Sequence, residues 1–293
     1  MNFLKGLALG LLSFFLVLSL SIFSIAFLLN QTILNPGFIA SEINKLDIPL
    51  LAEEFLSEQI PEEELVVEVL SDTVTDLEPW IQQQVTDGVY SSYDYLMGRS
   101  QTLSVVIPLE PVKESLKDNL GETILQSLPP ELAGASPAQI ELYLNELYDE
   151  IDELLPATFE LNEDSMSAEL SAQLELARKY IGYFQVGYNF LLGFMLLLIV
   201  GIVLIDRQVR STTRKLGTIF LPEGVLMLVG FFVAKYFTGR QLAQLDVPPY
   251  LEEWLPQLVS DFVAPLLMLS IGLIIGGVVL LTVSYVYKRQ TSS

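Results

Sequence analysis

The sequence predicts a mainly α-helical membrane protein: four transmembrane helices plus a mostly helical extracytoplasmic domain, with a small two-stranded β element, between the first and second spans. Three observations carry that prediction. Hydrophobic residues make up 51% of the 293 and mean hydropathy is +0.48, and they gather into long runs of the roughly 20 residues that a helix needs to cross a bilayer core. Charge is segregated too. Residues 31–182 hold 30 of the 36 acidic side chains and six of the 15 basic ones, whereas the short pieces at the other ends of the spans are basic. Finally, Met166 to Lys215 passes from amphipathic to wholly apolar with no proline, so one helix is expected to run from the domain into the membrane.

Composition removes many functions. With neither Cys nor His, the chain has no disulfides, no thiolate or imidazole metal site and no Cys nucleophile, and no Ser-His-Asp arrangement is available. The expectation is a protein that is not an enzyme, with no catalytic, metal or cofactor-binding residue. A net charge of −21 repels nucleic acid, which excludes it as a partner. The partners expected are the lipid bilayer and a protein partner, or a homo-oligomer formed through the domain or the spans.

Taken in order, residues 1–5 are a short cytoplasmic N-terminus carrying Lys5, and residues 6–29 are uncharged and form the first span, too long for the apolar core of a cleaved signal peptide. Residues 30–180 form the acidic domain. Its opening, Gly37 to Ile60, has helical spacing interrupted by Pro49, which predicts two short helices. An acidic helix follows over Glu62 to Leu70. A further helix carries Leu77, Ile81, Val85 and Val89 on one face and stops at Gly98. Leu103 to Leu109 changes period to two and reads as an edge strand limited by Pro108.

Glu110-Pro111 restarts a helix with Val112, Leu116, Leu120 and Ile124 spaced by four, ended by Pro129-Pro130. Ser136-Pro137-Ala138-Gln139 is a capping box with Pro at the first helical position. The helix that it opens turns Ile140, Leu144, Leu147, Ile151 and Leu154 inward, and its Asp149 to Glu153 acids read as a solvated face. Thr158 to Leu161 is the second strand, paired with the first. Asn162 to Ser165 is expected to cap the long helix.

That helix starts at about residue 166 and continues as the second span over 181–205, with Leu170, Leu174, Ala177 and Ile181 on its amphipathic face. Residues 206–215 form a basic cytoplasmic loop and 216–237 the third span. Residues 238–261 are an extracytoplasmic loop with an interfacial helix around Tyr250, Trp254 and Leu258. Residues 262–287 form the fourth span and 288–293 a cytoplasmic tail. Lys5, Arg207, Arg210, Arg214, Lys215, Lys288 and Arg289 then set the topology by the positive-inside rule, with both termini cytoplasmic and residues 30–180 outside a plasma membrane. Gly6 with Gly10, and Gly272 with Gly276, are GxxxG pairs that suit helix packing.

The one candidate functional residue is Glu223, the only carboxylate within a span. A charge there is costly unless a partner or polar cavity receives it, and Glu223 is expected to snorkel to the cytoplasmic interface or to pair with Arg210, Arg214 or Lys215, with a transport or coupling role as the functional alternative. Arg214-Lys215-Leu216-Gly217 followed by Pro222-Glu223-Gly224, with one span, a large domain and three further spans, resembles the permease subunits of the MacB/FtsX class of ABC systems. The resemblance is one of topology, and the chain lacks their longer cytoplasmic coupling segment. It implies a permease-like or mechanotransmitting subunit acting with a separate ATPase. The residues themselves favour a non-enzymatic cell-envelope protein whose acidic helical domain binds or scaffolds a partner.

Overall fold

A computed structural model describes residues 2–51, 64–126, 134–162, 165–242, 249–252 and 254–290. Pro129-Pro130, Glu163, Asp164 and Pro248 lie outside the described residues. The chain divides into two compact units, residues 39–178 and residues 1–38 with 179–293.

In the unit of residues 39–178, α2 (Pro36–Ile43) ends before Pro49 is reached. The break falls at residues 44–47, and Pro49 lies inside the next helical turn, residues 48–51, where the Asp47 carboxylate accepts from the Leu50 N–H at 3.0 Å. Pro49 therefore opens a helix, since the first helical turn has no intrahelical partner for the N–H that proline lacks. The two helices expected over 62–70 and 77–96 are a single helix, α3 (Glu64–Leu96), with Pro79 inside it. Val69, Thr73 and Leu77 lie four apart and are all buried, so the face that packs leads straight into the proline. Burial of that face outweighs the roughly 3 kcal/mol that an interior proline costs. Gly98, at φ +72°, stops the helix as expected, and the N–H groups of Arg99 and Ser100 return to the Asp94 carbonyl.

Strand β1 (Ser104–Pro108) pairs antiparallel with β2 (Thr158–Asn162), Ile107 opposite Phe159, in the expected two-stranded element. Helix α3 lies against it, where Gly88 would bring a Cβ to 3.4 Å from Val105 and Ser91 donates to the Ser104 carbonyl at 2.7 Å. Helix α4 (Glu110–Gln126) packs on α3, and the Asn119 amide donates to Thr73 and Asp76.

Helix α5 (Pro137–Leu154) meets α4 through ion pairs and one ring. Lys117 meets Asp152 at 2.6 Å, Lys113 reaches the same carboxylate at 3.7 Å, and Tyr148 crosses Gly121 and Lys117. Its face of Ile140, Leu144, Leu147 and Ile151 is only half-buried, and Leu154 is 76% exposed rather than inward. The cap follows expectation: Ser136 and Gln139 form the capping box, Gln139 Oε1 accepting from the Ser136 N–H at 2.9 Å, with Pro137 at the first helical position. Asn162, by contrast, does not cap the long helix. It closes a local turn with Ser165, and Ser167 takes the capping position, accepting from the Leu170 N–H.

Helix α6 (Ala168–Asp206) is unbroken through Tyr180. Residues 1–38 and 179–293 comprise α1 (Asn2–Gln31), the rest of α6, α7 (Val209–Leu242), α8 (Pro249–Glu252) and α9 (Trp254–Gln290). Four of these helices, α1, α6, α7 and α9, are long and apolar enough to cross a membrane, which makes this a multi-pass membrane protein. Their shared core takes Leu16, Leu20 and Phe23 from α1, Met195, Leu198 and Ile202 from α6, and Leu216 and Ile219 from α7.

Two connections are tighter than expected. The loop predicted over 206–215 is helical except at Arg207 and Gln208, and the segment from Trp254 is not a separate interfacial helix but the first turns of α9. Both helices overrun their apolar stretches because a helix, once nucleated, adds residues at little cost.

Candidate functional site

In the unit of residues 39–178 a cleft of about 530 Å³ opens at the start of α6. Ala168, Ser171 and Ala172 line one wall, and these small side chains leave the space open. Tyr95 from the last turn of α3 and Leu103 from the segment before β1 form the other. Arg178 closes the inner end. Its guanidinium lies 4.7 Å from the Tyr95 ring centroid and donates to the carbonyls of Ser100 at 3.0 Å and Gln101 at 3.4 Å. Arg178 thus shapes the cleft by tying α6 to the chain that Gly98 turns back. Gln101, Glu175, the Ser171 hydroxyl and Arg178 make the exposed lining more polar than apolar. Those donors and acceptors suit a ligand or chain segment that carries polar groups of its own. Arg178 was not singled out from the sequence. The available signal was its place among the few cations of a strongly acidic stretch, on the amphipathic part of α6.

Elsewhere in that unit the Lys117 hydrogen bond, above all, holds the Asp152 carboxyl below the usual carboxylate range, and burial raises the Tyr93 hydroxyl above its ordinary value. Among the described residues no cluster of three Asp or Glu stands where it would hold a metal ion.

Glu223 is buried at 7% exposure on α7, and its carboxylate accepts a hydrogen bond of 2.7 Å from the Ser21 hydroxyl of α1. The expected pairing with Arg210, Arg214 or Lys215 is not made. Lys215 lies eight residues, about 12 Å of helix rise, from Glu223, and its ammonium is bound by another acid. That acid is Asp206, at the end of α6, with its side chain only 5% exposed. Lys215 meets it at 2.9 Å and Lys5 of α1 at 3.4 Å, and Lys5 also donates to the Asp206 carbonyl. The cluster therefore joins the first turns of α1 and α7 to the last turn of α6.

The other topology-determining residues stand around it. Arg207 occupies the two-residue turn at φ +53°, and Arg210 and Arg214 are exposed on α7. The Ser284 hydroxyl of α9 donates to the Arg210 carbonyl at 2.9 Å, and Lys288 and Arg289 fall in the last turn of α9.

The packing glycines are not those expected. A Cβ at Gly6, Gly10, Gly272 or Gly276 would meet nothing within 4 Å. The close approach is made one position on, at Gly277, and at Gly217 and Gly224 of α7, where an added Cβ would stand 2.7–3.0 Å from atoms of the facing helix. The two-turn spacing of Gly217 and Gly224 was the signal for this seam.

No protein-family model matches the chain, and neither a curated protein nor a solved structure matches it.

Proposed function

We propose that this chain is a non-enzymatic binding protein of the plasma membrane, anchored by its four spans with both termini cytoplasmic. Its acidic helical domain faces outside and takes a ligand or partner segment in the cleft beside Arg178. The single observation that supports this reading most is the cleft's position on the first turns of α6, the helix that continues unbroken as a span. An occupant would touch a helix that is itself anchored in lipid.

Two measurements test it. Because the chain has no Cys, Glu141→Cys and Arg214→Cys report orientation cleanly. An impermeant maleimide should label the first on intact cells and the second only after lysis, and the reverse order would abandon the outward placement. A photo-crosslinking side chain at Ser171 should give one discrete adduct in native membranes that Ala172→Trp, which fills the cleft, removes. An adduct pattern no different from that at exposed Leu142 would sink the assignment of the cleft. Turnover of a substrate by the purified protein, abolished by one carboxylate substitution, would overturn the non-enzymatic reading.

The second reading is a permease-like or mechanotransmitting subunit working with a separate ATPase. It is favoured by the continuity of α6 with the Asp206 cluster, which links the domain's own helix to the basic end of the spans. Recovery of a nucleotide-binding partner by pull-down through residues 206–215 would favour it over the first.

A further inference from the structure

The basic end of the spans carries more than a count of positive charge. Asp206, the one acid in residues 206–215, is already engaged by Lys5 and Lys215. The one carboxylate is shared by both lysines, so the local charge sorts into an ion-paired cluster that keeps a single positive charge and three arginines outside it. Arg207, Arg210 and Arg214 are exposed, and among the described residues no carboxylate lies within ion-pair distance of any of them. Arg207 spends only its Nε, on the Leu204 carbonyl at 3.2 Å, which leaves its terminal nitrogens to outside acceptors. Arg210 and Arg214 are four apart on α7, a spacing that sets two like charges side by side, an arrangement that repels unless an anion lies between them.

Two further features give the patch a direction. Arg207 holds φ +53°, a left-handed conformation in which glycine is at ease and a long side chain is not, and it does so at the turn between two spans. Immediately on the membrane side of Arg207, Leu204 and Ile205 are exposed apolar residues, and Val209 is exposed beside them at the turn. Guanidiniums bordering bare aliphatic side chains at the end of a span match the two halves of one molecule, a phosphate head and an acyl chain.

We infer that Arg207, Arg210 and Arg214 form a binding surface for the phosphate headgroups of anionic phospholipids in the leaflet at this end of the spans. A guanidinium meets a phosphodiester through two parallel hydrogen bonds, and zwitterionic lipids offer the same phosphate with a cation attached, so selection should favour the anionic lipid. The surface is independent of the cleft and of which side of the membrane this end faces.

The test uses the full chain, purified from detergent micelles holding equal amounts of a phosphatidylglycerol and a phosphatidylcholine, with retained lipid read by mass spectrometry. Wild type should retain the anionic lipid in excess, about threefold or more over the input ratio, and the excess should fall steeply as salt rises from 0.05 to 0.5 M. The triple variant Arg207→Gln, Arg210→Gln, Arg214→Gln should return to the input ratio, with Lys5, Lys215, Lys288 and Arg289 still present to orient the chain. Replacement by Lys at all three positions should retain an intermediate excess, because the charge stays and the paired geometry goes.

Wild type retaining the two lipids in the input ratio, or the glutamine variant retaining the wild-type excess, would overturn the proposal. So would displacement of the lipid by millimolar inorganic phosphate, which would mark a site for the free ion. The wild-type salt series needs no variant, so the outcome stands even if a substitution harms folding.

Discussion

Substituting alanine at Gly277 and, separately, at its neighbour Gly276 separates the seam that the structure contains from the one that GxxxG spacing suggests. A Cβ at Gly277 would stand 2.7 Å from the Leu221 backbone nitrogen and 2.9 Å from its Cα and Cβ. Ordinary contact between such atoms is about 3.5–4.0 Å, so the helices must part by close to 1 Å, and the obstruction is backbone that no rotamer change can move aside. A gap of that size forfeits about a quarter to a half of the dispersion energy of each contact along the seam. Overpacking of this kind costs about 1–3 kcal/mol, and the obstruction by backbone puts Gly277→Ala at about 2 kcal/mol or more. At about 2 kcal/mol the folded-to-unfolded ratio drops roughly 30-fold.

Gly276, one position earlier, would meet nothing within 4 Å, and alanine there should be neutral or add a few tenths of a kcal/mol through helix propensity. Thermal unfolding of the purified protein in one detergent, followed by loss of the monodisperse peak in size-exclusion chromatography, reads both. Equal stability of Gly277→Ala and wild type, or an equal loss at Gly276→Ala, would refute the packing argument.

Three further outcomes follow from the same contacts. Asp206→Asn should destabilise the spans by about 1–3 kcal/mol, because two lysines lose a buried carboxylate, whereas Lys5→Met should cost less since that lysine is partly solvated; the same unfolding assay ranks them. A double-mutant cycle between Ser21→Ala and Glu223→Leu should give a coupling of about 1 kcal/mol for their 2.7 Å hydrogen bond, and strict additivity would remove the contact. The Asp152 carboxyl is held below its ordinary value by Lys117, so the stabilisation that it contributes is present above the unfolded carboxylate value of about 3.9 and is lost as pH falls through the lowered folded value. The protection factors of the α5 amides, which divide out the intrinsic slowing of exchange in acid, should therefore fall below about pH 4 in wild type and be lower already at neutral pH in Asp152→Asn; identical protection profiles would show that the pair does not hold the helix.

What the sequence determined by itself is whatever depends on a run of neighbouring residues. The four apolar stretches, the passage of α6 from amphipathic to apolar without a break, the stop at Gly98 and the pairing of two short alternating strands are all set by local period, length and turn chemistry. Local chemistry also misled where burial overrode it. Two helices expected over 62–70 and 77–96 are one, α3, because Val69, Thr73 and Leu77 bury one continuous face, and the apparent loop at 206–215 winds into α7.

Only the tertiary structure decided which acid met which cation and which glycine met a backbone. Ser21 and Glu223 lie 202 positions apart, and Lys5 and Asp206 201 apart, so no periodicity connects them. Their partners are chosen by how the helices rotate against each other, and a helix rotates by 100° per residue. That rotation separates Gly277, which abuts Leu221, from Gly276, which abuts nothing in the chain.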